Sequence, residues 1–160
     1  MNKAYLLTGG NMGDRQKSLD TAKQLIEVQC GEINRSSSLY ETAAWGNTNQ
    51  PSFLNQALII DTTLNAQILL QQLLRIENMM GRTREEKYGP RRIDIDILLF
   101  NEEIHDLPFL KVPHPELQNR RFALMPLAEI AGDILHPVYK KTIQELLNEC
   151  NDQLAVTKYT

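Results

Sequence analysis

The sequence predicts an α+β domain with a mainly antiparallel sheet and helices packed on both of its faces. Three observations lead there. Apolar residues recur at helical spacing in two separate stretches, most clearly over 65–80, where Ala66, Leu69, Leu70, Leu73, Ile76 and Met80 form one stripe. Short apolar runs bounded by Gly, Asn and Pro alternate with these helices. The order along the chain is β-α-β-β-α-β, the split βαβ arrangement of ferredoxin-like folds.

Taken in order, residues 3–8 read as a first strand stopped by Gly9-Gly10. Asp14 is placed to cap a helix carrying Leu19, Ala22, Leu25 and Ile26 at helical spacing, and Gly31 ends it. A second strand is expected over 32–40, then a polar loop over 41–52 with Gly46, Asn47, Asn49 and Pro51 as turn residues. Residues 53–62 form the third strand, with Leu58-Ile59-Ile60 at its heart, and Gly81 stops the helix that follows. A charged loop over 82–92 leads into a fourth strand over 93–100. Its period of two sends Ile93, Ile95, Ile97 and Leu99 to one face and Asp94, Asp96, Leu98 and Phe100 to the other. After an irregular Pro-rich passage, a helix is expected near 122–131. A last helix is opened by the capping box Thr142-Ile143-Gln144-Glu145.

Composition bounds the function. With 160 residues and 42% apolar content, the chain suits one compact domain, expected to span 1–160. A net charge of −3 argues against a polyanion-binding surface as its main purpose. The start of the chain is too soon broken by glycines for a signal peptide, and no segment reaches the length of a membrane span. Cys30 and Cys150 make no metal or redox spacing, and His105, His114 and His136 are scattered. A cytoplasmic monomer that binds neither nucleic acid nor membrane is the expectation.

The chemistry concentrates in the fourth strand. Asp is depleted in strands, yet Asp94 and Asp96 share one face with side chains rooted ~6.5 Å apart, a span that holds divalent cations. A lone Asp-x-Asp is more often a solvated strand end. Here the preceding loop carries Arg82, Arg84, Lys87, Arg91 and Arg92 against only Glu85 and Glu86, a cationic patch sized for a polyphosphate. Together they suggest a metal–nucleotide site. Glu77 falls inside the apolar stripe of its helix, where a carboxylate needs a partner unless it snorkels to water. The run Gly9-Gly10-Asn11-Met12-Gly13-Asp14 matches no phosphate-binding fingerprint and reads better as a tight turn. Thr42, Ala43, Trp45, Phe53 and Asn55 supply aromatic faces, a hydroxyl and an amide suited to a flat heterocycle. His114, with Asn119-Arg120-Arg121-Phe122, adds an imidazole, an arginine and another aromatic.

These pieces, in this order, resemble the 6-hydroxymethyl-7,8-dihydropterin pyrophosphokinase family of folate biosynthesis. The resemblance runs from Gly9-Gly10-Asn11-x-Gly13-Asp14-Arg15 through Tyr40-Glu41-Thr42, Phe53-Leu54-Asn55, Arg75-Ile76-Glu77 and Gly81-Arg82-x-Arg84. It continues through Gly89-Pro90-Arg91-x-x-Asp94-x-Asp96, Val112-Pro113-His114 and Asn119-Arg120-x-Phe122. It implies Mg2+-dependent transfer of the β,γ-pyrophosphoryl unit of ATP to the hydroxymethyl of a reduced pterin, giving the pterin diphosphate and AMP. By the same resemblance Asp94 and Asp96 hold two Mg2+ ions, and Arg82 and Arg91 neutralise phosphate charge as it shifts. Glu77, Arg84, Lys87, Arg91, Ile97, His114 and Arg120 serve ATP, while Thr42, Ala43, Trp45, Phe53, Asn55 and Phe122 serve the pterin. The chain departs from the family pattern at Ala44 (usually proline), Trp45, Lys87, Tyr88 and Phe109, positions outside the acid pair. A Mg2+-dependent nucleotidyltransferase also uses paired aspartates on a strand, but its Gly-Ser turn lies directly before the acids, whereas Gly9-Gly10 is far upstream. A non-catalytic nucleotide-binding module is the third reading.

Overall fold

In the computed structural model, which describes residues 1–43, 51–81 and 93–160, two helices lie on each face of one antiparallel sheet. The elements are β1 (Asn2–Gly10), α1 (Arg15–Gln29), β2 (Glu32–Ser36), β3 (Tyr40–Thr42), β4 (Phe53–Thr62) and α2 (Ala66–Met79). They continue with β5 (Asp94–Phe100), β6 (His105–Leu107), β7 (Leu110–Val112), α3 (Arg121–Ala131), α4 (Ile143–Glu149) and β8 (Val156–Lys158). Among the described residues the main sheet has strand order β5-β1-β4-β3-β8, with β2 also paired to β4, while β6 and β7 form a separate hairpin. The expected ferredoxin-like order is thus present, with β2 and β3 together filling the place of one strand.

Alternation along the central strands explains why both faces are covered. Ala4 and Leu6 of β1 and Leu58 and Ile60 of β4 face α1 and α2, meeting Ala22, Ile26, Leu69, Leu73 and Ile76. Tyr5, Leu7, Ala57 and Ile59 face the other way, against Ala123, Leu124 and Leu127 of α3 and Ile143 and Leu146 of α4. Burying each such Leu or Ile stabilises the fold by about 1.5–3 kcal/mol. The helix starts follow their caps: Asp14 accepts from the Lys17 N–H (3.1 Å) and Asn65 from the Ile68 N–H (2.9 Å). At α4 the Thr142–Glu145 capping box closes in both directions. Gly81, with φ +82°, takes the left-handed turn that ends α2.

Five features differ from the sequence expectation. β1 does not stop at Gly9-Gly10 but runs through both, because β4 pairs with both and β5 with Gly9. The single strand expected over 32–40 is two, interrupted at Ser37. There the Ser37 N–H donates to the Ala57 carbonyl (2.9 Å) and the Ser37 hydroxyl accepts from the Ala57 N–H (2.9 Å), so a side chain replaces a rung of ladder. In β5 a bulge puts Leu99 opposite Tyr5 and Ile97 opposite Leu6, leaving Leu98 extra. The faces therefore swap beyond it: Leu98 and Leu99 both enter the α3–α4 core, and Phe100 joins the Ile face. The Pro-rich passage contains the β6–β7 hairpin, and the C-terminal tail adds β8 to the sheet beside β3.

Candidate active site

The register of the sheet assembles most of a polar site at one end. Asn55 of β4 lies opposite Gly9 of β1, Gly9 opposite Asp94 of β5, and Asn55 opposite Tyr40 of β3. Directly opposed residues of antiparallel strands share a face, so Tyr40, Asn55, Gly9 and Asp94 form one row across four strands. Thr42 opposes Phe53 in the next row. This is the face that α3 covers further along the strands.

Gly9 is what lets the row form. A Cβ built there would sit 2.1 Å from Asn55 Nδ2, so the carboxamide lies over the space a side chain would take. Asn55 Nδ2 donates to the Thr8 carbonyl at 3.3 Å. Asn55 Oδ1 and Thr42 Oγ1 find no hydrogen-bond partner among the described residues, although Asn55 is 5% and Thr42 3% exposed. A buried polar atom left unsatisfied costs about 1–3 kcal/mol, which points to a ligand at this end of the sheet. Two other such atoms lie apart: Gln56 Oε1 on the opposite face of β4, and His136 Nε2 in the segment after α3. The glycine run that read as a turn in sequence is therefore part of the site; its signal was the Gly-Gly-Asn opening itself.

Asp94 and Asp96 are half-buried on the same face as Asn55, at the start of β5. Between them the Ile95 N–H turns outward and donates to Glu77 Oε2 at 2.7 Å. Glu77, 3% exposed on α2, thus ties the helix to the strand that carries both acids. Ile97 is buried in the core on the opposite face, and two residues beyond Ile95 it turns the same backbone edge outward. Among the described residues no cluster of three or more His, Cys, Asp or Glu occurs. Two carboxylates suit Mg2+, which usually takes one or two from the protein and completes its octahedron with water and substrate phosphate.

His114 is held against β5, its N–H donating at 3.0 Å to the carbonyl of Leu98, the residue freed by the bulge. Its Nδ1 accepts from the Glu116 N–H at 3.1 Å, so a neutral ring carries its proton on Nε2. Burial, and then the charge of Arg120, push the imidazole down to about 4, with Glu116 opposing them. The Arg120 guanidinium lies 5.6 Å from the centre of the Phe122 ring, a cation–π distance that sets both at the start of α3. Tyr40 donates to Glu129 Oε1 at 2.6 Å, fastening β3 to α3, and burial together with that carboxylate pushes its phenol up.

The structure therefore brings Thr42, Phe53, Asn55, Asp94 and Asp96 to one end and one face of the sheet. It sets His114 against β5 and Phe122 with Arg120 at the start of α3, places Ala43 exposed just past β3, and keeps Glu77 and the Ile97 side chain out of this face. Trp45, Arg82, Arg84, Lys87 and Arg91 lie outside the described residues.

Fold and site define a ferredoxin-like α+β domain with carboxylates and unsatisfied polar groups converging at one sheet end, the build of a small-molecule transferase. The family model described as 7,8-dihydro-6-hydroxymethylpterin-pyrophosphokinase (HPPK) matches residues 5–132, and the chain belongs to that family. A 2-amino-4-hydroxy-6-hydroxymethyldihydropteridine pyrophosphokinase of Aquifex aeolicus is 42% identical over 149 residues, 93% of this chain and 92% of the relative. The protein of the same name in Bacillus subtilis is 45% identical over 134 residues, covering 83% and 80%. A crystal structure of an HPPK-DHPS in complex with substrates shares the fold, with a TM-score of 0.74 at 18% identity. That match covers 92% of this chain and 43% of the other, so the present chain spans less than half of that protein's length.

Proposed function

We propose that the chain transfers the β,γ-pyrophosphoryl unit of ATP to the hydroxymethyl oxygen of 6-hydroxymethyl-7,8-dihydropterin. The new bond joins that oxygen to the β-phosphorus, the bond from the β-phosphorus to the α–β bridging oxygen breaks, AMP leaves and the hydroxyl proton is released. The observation that carries this reading is the pair of unsatisfied atoms, Asn55 Oδ1, across Gly9 from Asp94, and Thr42 Oγ1 in the next row of the same face. Fixed acceptors read the N–H edge of a flat heterocycle, and the acids stand where its reactive arm would meet phosphate. Phe53 and Phe122 pack on the ring, and Ala43 and Trp45 border it.

On the nucleotide side, Asp94 and Asp96 would hold two Mg2+ ions, which when bound supply charge neutralisation of the triphosphate and orientation of the hydroxyl. Neutral His114 offers its Nε2–H to a phosphate oxygen, and Arg120 offers a fixed cation beside it. Arg82, Arg84, Lys87 and Arg91 complete the phosphate contacts, and Ile97 serves through its outward backbone edge. Glu77 acts on ATP through β5, by fixing the Ile95 N–H between the two acids. The catalysis is mostly positioning and electrostatics, and among the described residues no side chain is a dedicated general base. The chain works as a single domain over 1–160, as a cytoplasmic monomer; among the described residues no helix is long and apolar enough to cross a membrane.

Incubation with ATP, Mg2+ and hydroxymethyl-dihydropterin tests the reading. AMP with pterin diphosphate is the expected outcome; ADP, or liberated pyrophosphate, overturns it.

A further inference from the structure

Thr42 ends a strand of only three residues, and β8, which flanks that strand, is equally short. So few ladder rungs do not hold a side chain to the accuracy that ligand recognition needs. One end of β3 is tied by Tyr40 to Glu129. The other end is tied from the opposite side of the sheet. The guanidinium of Arg15, the first residue of α1, donates from Nη1 to Glu41 Oε2 (2.7 Å) and to the Ser52 carbonyl (3.0 Å). It also lies 5.5 Å from the centre of the Tyr159 ring, whose backbone N–H donates to the Leu39 carbonyl at 2.9 Å.

The partners of Arg15 are informative. Glu41 directly precedes Thr42, and Ser52 directly precedes Phe53; Thr42 and Phe53 oppose each other in the ladder. One side chain therefore grips the residue before each member of that rung. Asn11 adds a second hold on the same stretch, donating to the Pro51 carbonyl at 3.0 Å. None of these contacts reaches β5, His114 or Arg120. Among the described residues, the cation at position 15 thus has mechanical purchase on the heterocycle side of the site and none on β5, His114 or Arg120.

We infer that Arg15 is a positioning residue for the pterin: clamped to Glu41 and Ser52 and backed by Tyr159, it sets the separation of Thr42 from Asn55. The inference rests on the pterin pocket proposed above. Its chemistry is that of a planar, delocalised cation whose Nη1 holds two acceptors in a fixed geometry, which the flexible ammonium of a lysine does not fix.

The test is a split of Michaelis constants. Arg15→Met keeps the stem and removes the fork; Glu41→Gln keeps the shape and removes the charge. Far-UV CD and thermal melts accompany both, and Asn55→Ala serves as the pocket control. The expected result for Arg15→Met is a KM for the pterin raised about tenfold, with the KM for ATP within about twofold. Glu41→Gln moves the same constant less, because the Ser52 contact remains, and the double variant is no worse than Arg15→Met alone. Arg15→Lys restores part of the loss. An unchanged pterin KM in folded Arg15→Met, or equal rises for both substrates, overturns the inference. If Arg15→Met does not fold, Glu41→Gln decides by the same split. Asn55→Ala separates the levels: raised pterin KM there with no effect at Arg15 removes only the positioning role. No effect at Asn55 removes the pocket and this role with it.

Discussion

At position 9 a single missing side chain decides where an amide lies. Gly9→Ala sets a methyl carbon 2.1 Å from Asn55 Nδ2, the end of a side chain rather than backbone, so the amide moves and the strand stays. We expect Gly9→Ala to melt within a few degrees of the parent while binding pterin at least about tenfold more weakly, as measured by calorimetry. Undiminished pterin binding would show that the amide is not held there. Asp96 contributes little to packing, being half-buried at the strand's start. Asp96→Asn is therefore expected to keep its far-UV spectrum and lose at least about a thousandfold in turnover with Mg2+; retained turnover would remove the metal role.

His114 carries a pH signature. Its folded pKa, about 4, lies below the ordinary 6.5, so the unfolded chain binds more protons between those values. The stability this group confers is present above about pH 6.5 and is lost as pH falls toward 4. Allowing for the partial exposure of the ring, the loss is about 1–2 kcal/mol. Urea melts of His114→Asn at pH 7 and 4.5 should differ by that much less than those of the parent. An identical difference in both proteins would place the imidazole outside this accounting.

Among the elements, β5 shows how a helix can serve a site it does not line. Glu77 interrupts the apolar stripe of α2, and its carboxylate accepts the Ile95 N–H that an edge strand would otherwise show to solvent. Glu77→Ala strands that buried N–H and should cost about 2–3 kcal/mol in chemical denaturation, whereas Glu77→Gln, which keeps an acceptor, should cost less. Equal losses would mean that the charge, not the acceptor, matters. What was legible here follows the same logic. Glu77 stood out because a carboxylate broke an apolar stripe, and Asp94-x-Asp96 because acids broke a strand pattern. Asp14 and Thr142 were readable because caps are local chemistry. Gly9-Gly10 read as a stop, since glycine's local preference says turn while two flanking ladders say strand. The bulge at Leu98 and the pairing of β8 depend on partners distant in sequence, so no local pattern announces them. The cation–carboxylate tie from Arg15 to Glu41 is hidden for the same reason.

For the molecule as a whole, β1 and β4 are shared property: each contributes alternate residues to both cores. Neither core can loosen without disturbing the other. Leu127→Ala, in the α3 layer and fully buried, should cost about 2–5 kcal/mol. It should do so in one transition, with far-UV and near-UV CD melting together. Separate transitions would mean that the helical layers unfold independently. The sheet also explains how a site of distant residues is rigid. Thr42, Phe53, Asn55, Gly9, Asp94 and Asp96 sit on adjacent strands of one sheet, not on loops.

The missing side chain at Gly9 has a consequence for how this protein can diversify. The Asn55 carboxamide and a methyl on residue 9 claim the same volume, so the two positions are coupled, and in the pterin pocket proposed above they would together set how deep the ring seats. Neither can grow alone. A larger residue 9 is compatible only with a shorter residue 55, and that exchange would trade an amide for a shallower floor. Re-targeting the cleft to another heterocycle therefore begins with this pair, changed together, before any residue that touches phosphate.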